Sequence, residues 1–271
     1  MPTSTDDMEP RETAGAQTLR RGLSVLKLLT RISPGGLRIT EIGRRLDLSK
    51  ATAVRLTRTL VDEKFVVHDT ASKTYRLGPE AFAVGLAAEP SYALQRLSAS
   101  HLRALAQETG DWIYFSVPNG GEVICLSRES GDIPIARKAL KVGDRNPLGI
   151  GAAGVALLAA MPDAEVETIL AANQKVIERD HPDCGIEVVR TLLSETRVRG
   201  YSVIPGLIVQ DYWALAVALV NAQGRPEGAI SLVASAKRLP LKRTEAIGER
   251  LMRLGQELME FAGTDSRDRL F

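Results

Sequence analysis

Residues 37–52 have the sequence LRITEIGRRLDLSKAT, and this stretch decides the fold of the first part of the chain. Thr40 is a favourable N-cap for a short helix that buries Ile42. Ser49 then begins a second helix, which the spacing of apolar residues extends to about Asp62. About three residues separate the two helices, and such a tight turn is typical of a helix-turn-helix.

The segments on both sides complete a winged helix-turn-helix. Upstream, leucines recur with helical spacing from Leu19 to Leu29, and the breaker at 33–36 ends this helix. Downstream, two short runs of β-branched and aromatic residues at 65–68 and 74–77 flank a polar turn, which predicts a hairpin. We therefore predict three helices followed by a β-hairpin wing.

Charge is unevenly distributed along the chain. Between Arg20 and Arg76 there are thirteen Lys or Arg and five Asp or Glu residues, a net charge of +8. The remaining residues include 22 basic and 28 acidic ones, a net charge of −6. A basic module joined to an acidic body indicates a polyanionic partner for the first part only, with a solvated basic surface as the alternative.

The second helix of a helix-turn-helix places its first turns in the major groove of DNA. Hydroxyl groups and basic side chains suit phosphate oxygens, and Arg55 can reach a guanine through two parallel hydrogen bonds. We therefore predict double-stranded DNA as a partner. The predicted DNA-binding residues are Arg38, Thr40, Arg44, Arg45, Ser49, Lys50, Ala51, Thr52, Arg55, Arg58, Lys73 and Arg76.

The second half of the chain has the pattern of a mixed α/β domain. Helices alternate with strands joined by tight turns, which indicates helices flanking a mainly antiparallel sheet and an α+β fold. The predicted helices are 94–109, 152–160, 163–171, 187–199 and 241–261, and the predicted strands are 112–117, 122–128, 201–204, 214–220 and 228–234.

These motifs resemble the IclR family of transcriptional regulators. The resemblance is carried by residues 37–52, Arg55-Leu56, Leu60, 75–79, 147–148, 151–158, 199–201 and 224–231, and it covers nearly the whole chain after residue 17. It implies a winged helix-turn-helix, a GAF-like effector domain, dimers or tetramers, a palindromic operator and control by small organic acids. Residues 208–213 depart from the family pattern, so the effector of a particular relative is not transferred.

A candidate effector site begins with the basic residues Lys138, Lys141 and Arg145. Beyond them, Gly149 and Gly151 lack a Cβ, so an anion can approach the free amides of a helix N-terminus closely. Four aromatic residues could hold an apolar body beside it; alternatively, the small residues only permit close packing and the aromatics belong to the core. The predicted effector-binding residues are Trp112, Tyr114, Leu148, Gly149, Ile150, Gly151, Ala152, Ala153, Tyr212, Trp213 and Ser231.

Other motifs argue against a cofactor, a metal or catalysis. Residues 149–154 match the dinucleotide pattern GxGxxG, but the segment before them cannot form the buried strand that this fingerprint requires. His181, Asp183 and Cys184 have no second ligand pair, so we predict a surface loop rather than a metal site. No group of residues combines a nucleophile with its base, so we predict that the protein is not an enzyme. Together these observations predict no metal and no cofactor.

We therefore predict a cytoplasmic, sequence-specific DNA-binding regulator that responds to a small-molecule effector, an organic acid that binds as an anion. Residues 18–78 form the winged helix-turn-helix, 79–90 the linker helix, and 91–265 the effector-binding and oligomerisation domain. A homodimer or tetramer would bind a pseudo-palindromic operator, and no membrane is involved. The alternatives are a C-terminal domain that only oligomerises, and an enzyme docked to nucleic acid.

Overall fold

The computed structural model describes residues 14–32, 35–88, 93–131 and 140–268. The chain divides into two compact units, Met1–Glu89 and Pro90–Phe271. The predicted helix breaker at Ser33-Pro34 and the predicted basic residue Lys138 lie outside the described residues.

The first unit is a helical domain with a small sheet. Its core is formed by Val25, Leu29, Leu37, Ile42 and Val66, which come from the first two helices and from two strands. Its elements are α1 (Ala14–Thr30), β1 (Leu37–Arg38), α2 (Ile39–Arg45), α3 (Lys50–Asp62), β2 (Val66–Asp69), β3 (Thr74–Leu77) and α4 (Pro79–Ala88).

The start of α2 differs from the prediction. The N-cap is Arg38 rather than Thr40, and the Glu41 carboxylate accepts a hydrogen bond from the Arg38 backbone amide at 3.0 Å. The helix begins early because Leu37 and Arg38 form a short strand that pairs with β3, so that the sheet has the order β1-β3-β2. Sequence patterns did not reveal β1, since a two-residue strand has no periodicity to detect.

The second unit has the predicted α+β architecture. Six antiparallel strands lie in the order β6-β5-β4-β9-β8-β7. The elements are α5 (Ala93–Thr109), β4 (Trp112–Asn119), β5 (Glu122–Glu129), β6 (Arg145–Pro147), α6 (Gly151–Ala159), α7 (Asp163–Asp180), α8 (Ile186–Arg199), β7 (Ser202–Pro205), β8 (Tyr212–Val220), β9 (Pro226–Ser235) and α9 (Leu241–Asp268).

The two faces of this sheet are covered differently. Alternate strand residues such as Ile113, Leu215 and Leu232 form one core cluster, which also contains residues of α5 and α9. The opposite face contributes residues such as Ala216 and Ala229 to a second cluster with α6, α7 and α8. Because successive side chains of a strand point to opposite faces, β8 and β9 supply residues to both clusters.

Helix α7 and the segment after it differ from their predictions. Helix α7 continues nine residues past its predicted end, to Asp180, because Ile177 is fully buried and keeps that part of the helix against the domain. The predicted surface loop at 181–184 is a 3-10 turn, Pro182–Cys184, and its Cys184 side chain is buried beside Ile150 and Ile177. The prediction of a surface loop is therefore wrong for Cys184.

Candidate functional site

The N-terminus of α3 is capped by its own chain. The Ser49 Oγ accepts a hydrogen bond from the Thr52 backbone amide at 3.2 Å and lies 2.9 Å from the Thr52 Oγ1. Asp47, in the turn before it, has a positive φ of 50°. This turn exposes Ser49, Lys50 and Ala51 at the start of the helix.

Exposed basic side chains lie on β1, α2 and α3 and in the wing. All twelve predicted DNA-binding residues are exposed except Thr52, which is half-buried. Within the described part of the chain, the structure assigns no salt bridge to the basic members of this set. These members are Arg38, Arg44, Arg45, Lys50, Arg55, Arg58, Lys73 and Arg76.

The wing is held in shape by its own turn. The Asp69 Oδ1 accepts hydrogen bonds from the backbone amides of Ala71 at 2.9 Å and Ser72 at 3.2 Å. Hydrogen bonds from Ser72 are the main reason why the pKa of the Asp69 carboxyl is lowered. Next to this turn, the rings of His68 and Tyr75 stack with centroids 4.4 Å apart. Lys73 is thus exposed on a turn of defined geometry.

A cavity of about 270 Å³ lies in the second unit, on the sheet face that also packs against α6. Strands β4, β5, β7, β8 and β9, the segment 140–146, the loop 208–209 and the first turn of α6 all contribute to its wall. Seven of the eleven predicted effector-binding residues line it: Tyr114, Ile150, Gly151, Ala152, Ala153, Tyr212 and Ser231.

The other four predicted effector-binding residues do not line the cavity. Trp213 packs against the cluster on the opposite sheet face, because it directly follows Tyr212 in β8. Trp112 has the Arg128 guanidinium 4.8 Å from its ring centroid. Leu148 is fully buried in the α6 cluster, and a Cβ at Gly149 would meet Val189 and Leu170. None of these four belongs to the site that we propose.

The first turn of α6 is left uncapped at the cavity. Its N-cap is Ile150, which has no side-chain acceptor, and no side-chain hydrogen bond caps the helix. Gly151 begins the helix with a φ of +74°, and a Cβ placed there would meet no atom within 4 Å. The free amides of a helix N-terminus carry partial positive charge, so this end of α6 favours an anion.

Three hydrogen bonds hold this turn in place. The Ser202 Oγ donates to the Ala152 carbonyl at 2.8 Å, which fixes the helix start against β7. The Asn173 Nδ2 donates to the carbonyls of Gly121 at 2.8 Å and Leu148 at 3.2 Å, which ties α7 to the preceding loop. The uncapped amides are therefore rigidly positioned.

The remaining polar groups of the cavity differ in their pairing. Arg145 lines it but forms a salt bridge to Glu122 at 3.1 Å, and Asp144 accepts a hydrogen bond from the Lys141 backbone amide at 2.8 Å. Lys141, predicted to attract the effector, does not line the cavity. Burial raises the pKa of the Cys125 thiol to about 12, so this side chain is neutral at physiological pH.

Sequence analysis missed much of the cavity wall. The missed residues include small and apolar side chains on strands that were correctly predicted, and alternation from Tyr114 and Ser231 would have found Ser116 and Val233. The loop and segment residues gave no such signal. Arg145, named with the candidate effector site, does line the cavity, and the missed lining residues are Ser116, Val123, Cys125, Leu140, Asp144, Asn146, Ile204, Ile208, Val209, Ala214 and Val233.

Two further observations concern the described residues only. They contain no group of three or more His, Cys, Asp or Glu side chains arranged to hold a metal ion. They also contain no helix that is long and apolar enough to span a membrane. The GxGxxG match at 149–154 follows the three-residue edge strand β6 rather than a central strand.

Comparisons with known proteins agree with this architecture. Residues 18–70 match the IclR helix-turn-helix domain, and residues 90–259 match the C-terminal domain described as bacterial transcriptional regulator IclR. The chain is 28% identical over 243 residues to the HTH-type transcriptional repressor AllR of Klebsiella pneumoniae, covering 89% of this chain and 88% of that protein.

Solved structures with the same fold cover most of the chain. An IclR transcriptional regulator from Alicyclobacillus acidocaldarius is 25% identical with a TM-score of 0.75, covering 90% of this chain and 98% of that one. An IclR homologue from Microbacterium hydrocarbonoxydans, complexed with 4-hydroxybenzoate, is 22% identical with a TM-score of 0.72, covering 90% and 99%. The chain belongs to the IclR family of transcriptional regulators.

Proposed function

We propose that residues 18–78 bind a pseudo-palindromic operator, with α3 in the major groove. The supporting observation is the set of exposed basic side chains without salt bridges around the capped start of α3. Arg55 reads a base edge, whereas Arg44, Arg45 and Lys73 contact phosphates. Such a regulator works where the chromosome lies, so we assign it to the cytoplasm.

In this proposal the protein assembles as a dimer or larger species, and residues 79–90 form its linker helix. Helix α4 is rich in apolar residues, yet none of its residues is buried within the described chain. Phe82 is 69% exposed, and Val84 and Leu86 are more than half exposed. A second copy that covers this helix would remove a large apolar surface from water and would impose two-fold symmetry on the operator.

Sedimentation tests this assembly. The protein should sediment as a dimer or larger species, and Phe82→Lys should shift it toward the 29.3 kDa monomer and weaken operator binding. A wild-type monomer that binds its operator one to one would contradict the proposal.

The proposed effector domain, residues 91–265, binds a small organic acid in the cavity described above. The carboxylate accepts hydrogen bonds from the uncapped amides at the start of α6, and the apolar body lies against Ile204, Ala214 and Val233. The 4-hydroxybenzoate complex of the Microbacterium homologue agrees with a small acid as ligand. Effector and operator then favour different relative orientations of the DNA-binding units, which couples the two binding events.

The test compares acids with their neutral amides as agents of DNA release. Acids should act and amides should not, because only the carboxylate carries the charge that the helix N-terminus favours. Equal action by both would place the effector elsewhere. Thermal unfolding with the same compounds separates a sensor from a domain that only oligomerises, since bound ligand raises the melting temperature.

A further inference from the structure

We propose that Tyr114 determines effector specificity by receiving a second polar group, a neutral hydroxyl or carbonyl, on the apolar body of the acid. This inference rests on the proposed effector function and concerns the same cavity. It assigns the acid two poles, with its carboxylate at the start of α6 and its second group at the Tyr114 hydroxyl.

The Tyr114 hydroxyl is buried and unpaired. The residue is 1% exposed and lines the cavity, and its oxygen has no hydrogen-bond partner among the described residues. Buried polar atoms in proteins nearly always have a partner, and an unpaired one is costly. A phenylalanine would fill the same space without that cost, so the hydroxyl requires an explanation, which a ligand supplies.

The strand register separates Tyr114 from the carboxylate pole. Tyr114 on β4 lies opposite Ser231 on β9, which lies opposite Ala216 on β8. The α6 start sits above the far end of this row, because the Ser202 Oγ on β7 binds the Ala152 carbonyl. Strands β4 and β8 are two positions apart, or about 10 Å at the usual spacing of neighbouring strands. The register therefore places the Tyr114 backbone and the start of α6 over different strands of one cavity wall, which an acid with two polar groups can contact together.

The surroundings favour a neutral second group over a second charge. Burial raises the pKa of Tyr114, so its hydroxyl stays protonated and can donate or accept a hydrogen bond. Arg145, the basic residue of the cavity wall, is already paired with Glu122. Arg128, whose charge acts on Tyr114, is also engaged, because its guanidinium donates to the Leu140 carbonyl and lies over the Trp112 ring. A second carboxylate at Tyr114 would therefore be desolvated without an unengaged cation beside it.

The experiment measures binding of matched acids to the full-length protein by calorimetry. Each pair differs only in the second group: benzoate with 4-hydroxybenzoate, and pentanoate with 4-oxopentanoate. Wild type should bind the substituted member of at least one pair about tenfold more tightly, as one hydrogen bond to a buried group allows. Tyr114→Phe should remove this preference and bind the unsubstituted acid within about twofold of wild type.

The control is Ser127→Ala. The Ser127 Oγ is also buried without a partner, but Ser127 does not line the cavity. This variant should keep the full preference of wild type, and the melting temperature of each free variant reports whether it has folded.

Three outcomes would overturn the inference while the proposed function stands: no preference in wild type, a preference that persists in Tyr114→Phe, or an equal loss of both pair members in that variant. The last result would place Tyr114 at the carboxylate. Failure of every acid in the panel to bind would overturn both the inference and the proposed organic-acid effector.

Discussion

The first turns of α3 and α6 differ in whether a side chain accepts a hydrogen bond from their backbone amides. Both helices begin with amides that have no partner within the helix. At α3, Ser49 supplies an oxygen that accepts the Thr52 amide. At α6, the N-cap is Ile150, whose side chain is buried in the core and offers no acceptor.

This difference separates a contact surface from a binding site. At the exposed start of α3 the chain itself caps the Thr52 amide, and the exposed basic side chains supply the attraction for DNA. The start of α6 is unsatisfied and borders a cavity, so a bound anion completes it. Each helix start is therefore suited to the partner that we propose for it.

The largest expected effect comes from filling the α6 site. Ala153 lines the cavity, and leucine is accepted in a helix, so Ala153→Leu should weaken effector binding by at least about 100-fold, or about 2.7 kcal/mol, without changing DNA binding. Calorimetry and DNA release measure this loss. Gly151→Val is a poorer test, because a φ of +74° strains any side chain at that position.

Ala172→Leu is the matched control. Ala172 is exposed on α7 and does not line the cavity, so the same substitution there should leave effector binding unchanged. Unchanged effector binding by Ala153→Leu would show that the effector does not bind at the start of α6.

At α3, the expected effect is one of sequence discrimination. Arg55→Ala should weaken operator binding by about 1–3 kcal/mol and barely change binding to random DNA, because a base contact is lost. Arg44→Ala should weaken both equally and reduce the salt dependence, because a phosphate contact is lost. Titrations of both DNAs at several salt concentrations decide this, and equal losses for Arg55→Ala would remove its assigned role.

Burial of the Cys125 thiol in the cavity wall predicts that the protein becomes less stable at alkaline pH. The Cys125 thiol has an ordinary pKa of 9.0 that burial raises to about 12. In this window the unfolded chain loses the proton that the native protein keeps. The free energy of unfolding therefore falls as pH rises from 9 toward 12, by about 1.4 kcal/mol per pH unit from this group.

Urea denaturation from pH 8 to 10.5 measures this dependence. Cys125→Ser should show a shallower fall than wild type above pH 9, because serine does not ionise in this range. Identical slopes for the two proteins would contradict the assigned state of the thiol.

The smallest expected effect concerns the α3 cap. Ser49→Ala removes the acceptor of the Thr52 amide and should lower the free energy of unfolding of the first unit by about 1 kcal/mol. Thermal unfolding measures it, with Ser49→Gly as the comparison that should cost only a few tenths of a kcal/mol. No loss in Ser49→Ala would mean that this helix start does not depend on its cap.

The sequence by itself determined the order of elements and much of the chemistry. Periodicity and capping signals are local, so they predicted α3 from Ser49 and the hairpin wing close to where the structure has them. The Gly-rich pattern also located the start of α6.

Only the tertiary structure decided which residues meet at the cavity. Tyr212 and Trp213 are neighbours with similar chemistry, and because β8 begins at Tyr212 rather than at the predicted residue 214, the alternation of the strand sends them to opposite faces of the sheet. Arg145 looks free in the sequence, but β5 brings Glu122 to it. The unpaired Tyr114 hydroxyl is visible only once its neighbours are in place, because pairing depends on contacts between segments that are distant in the chain.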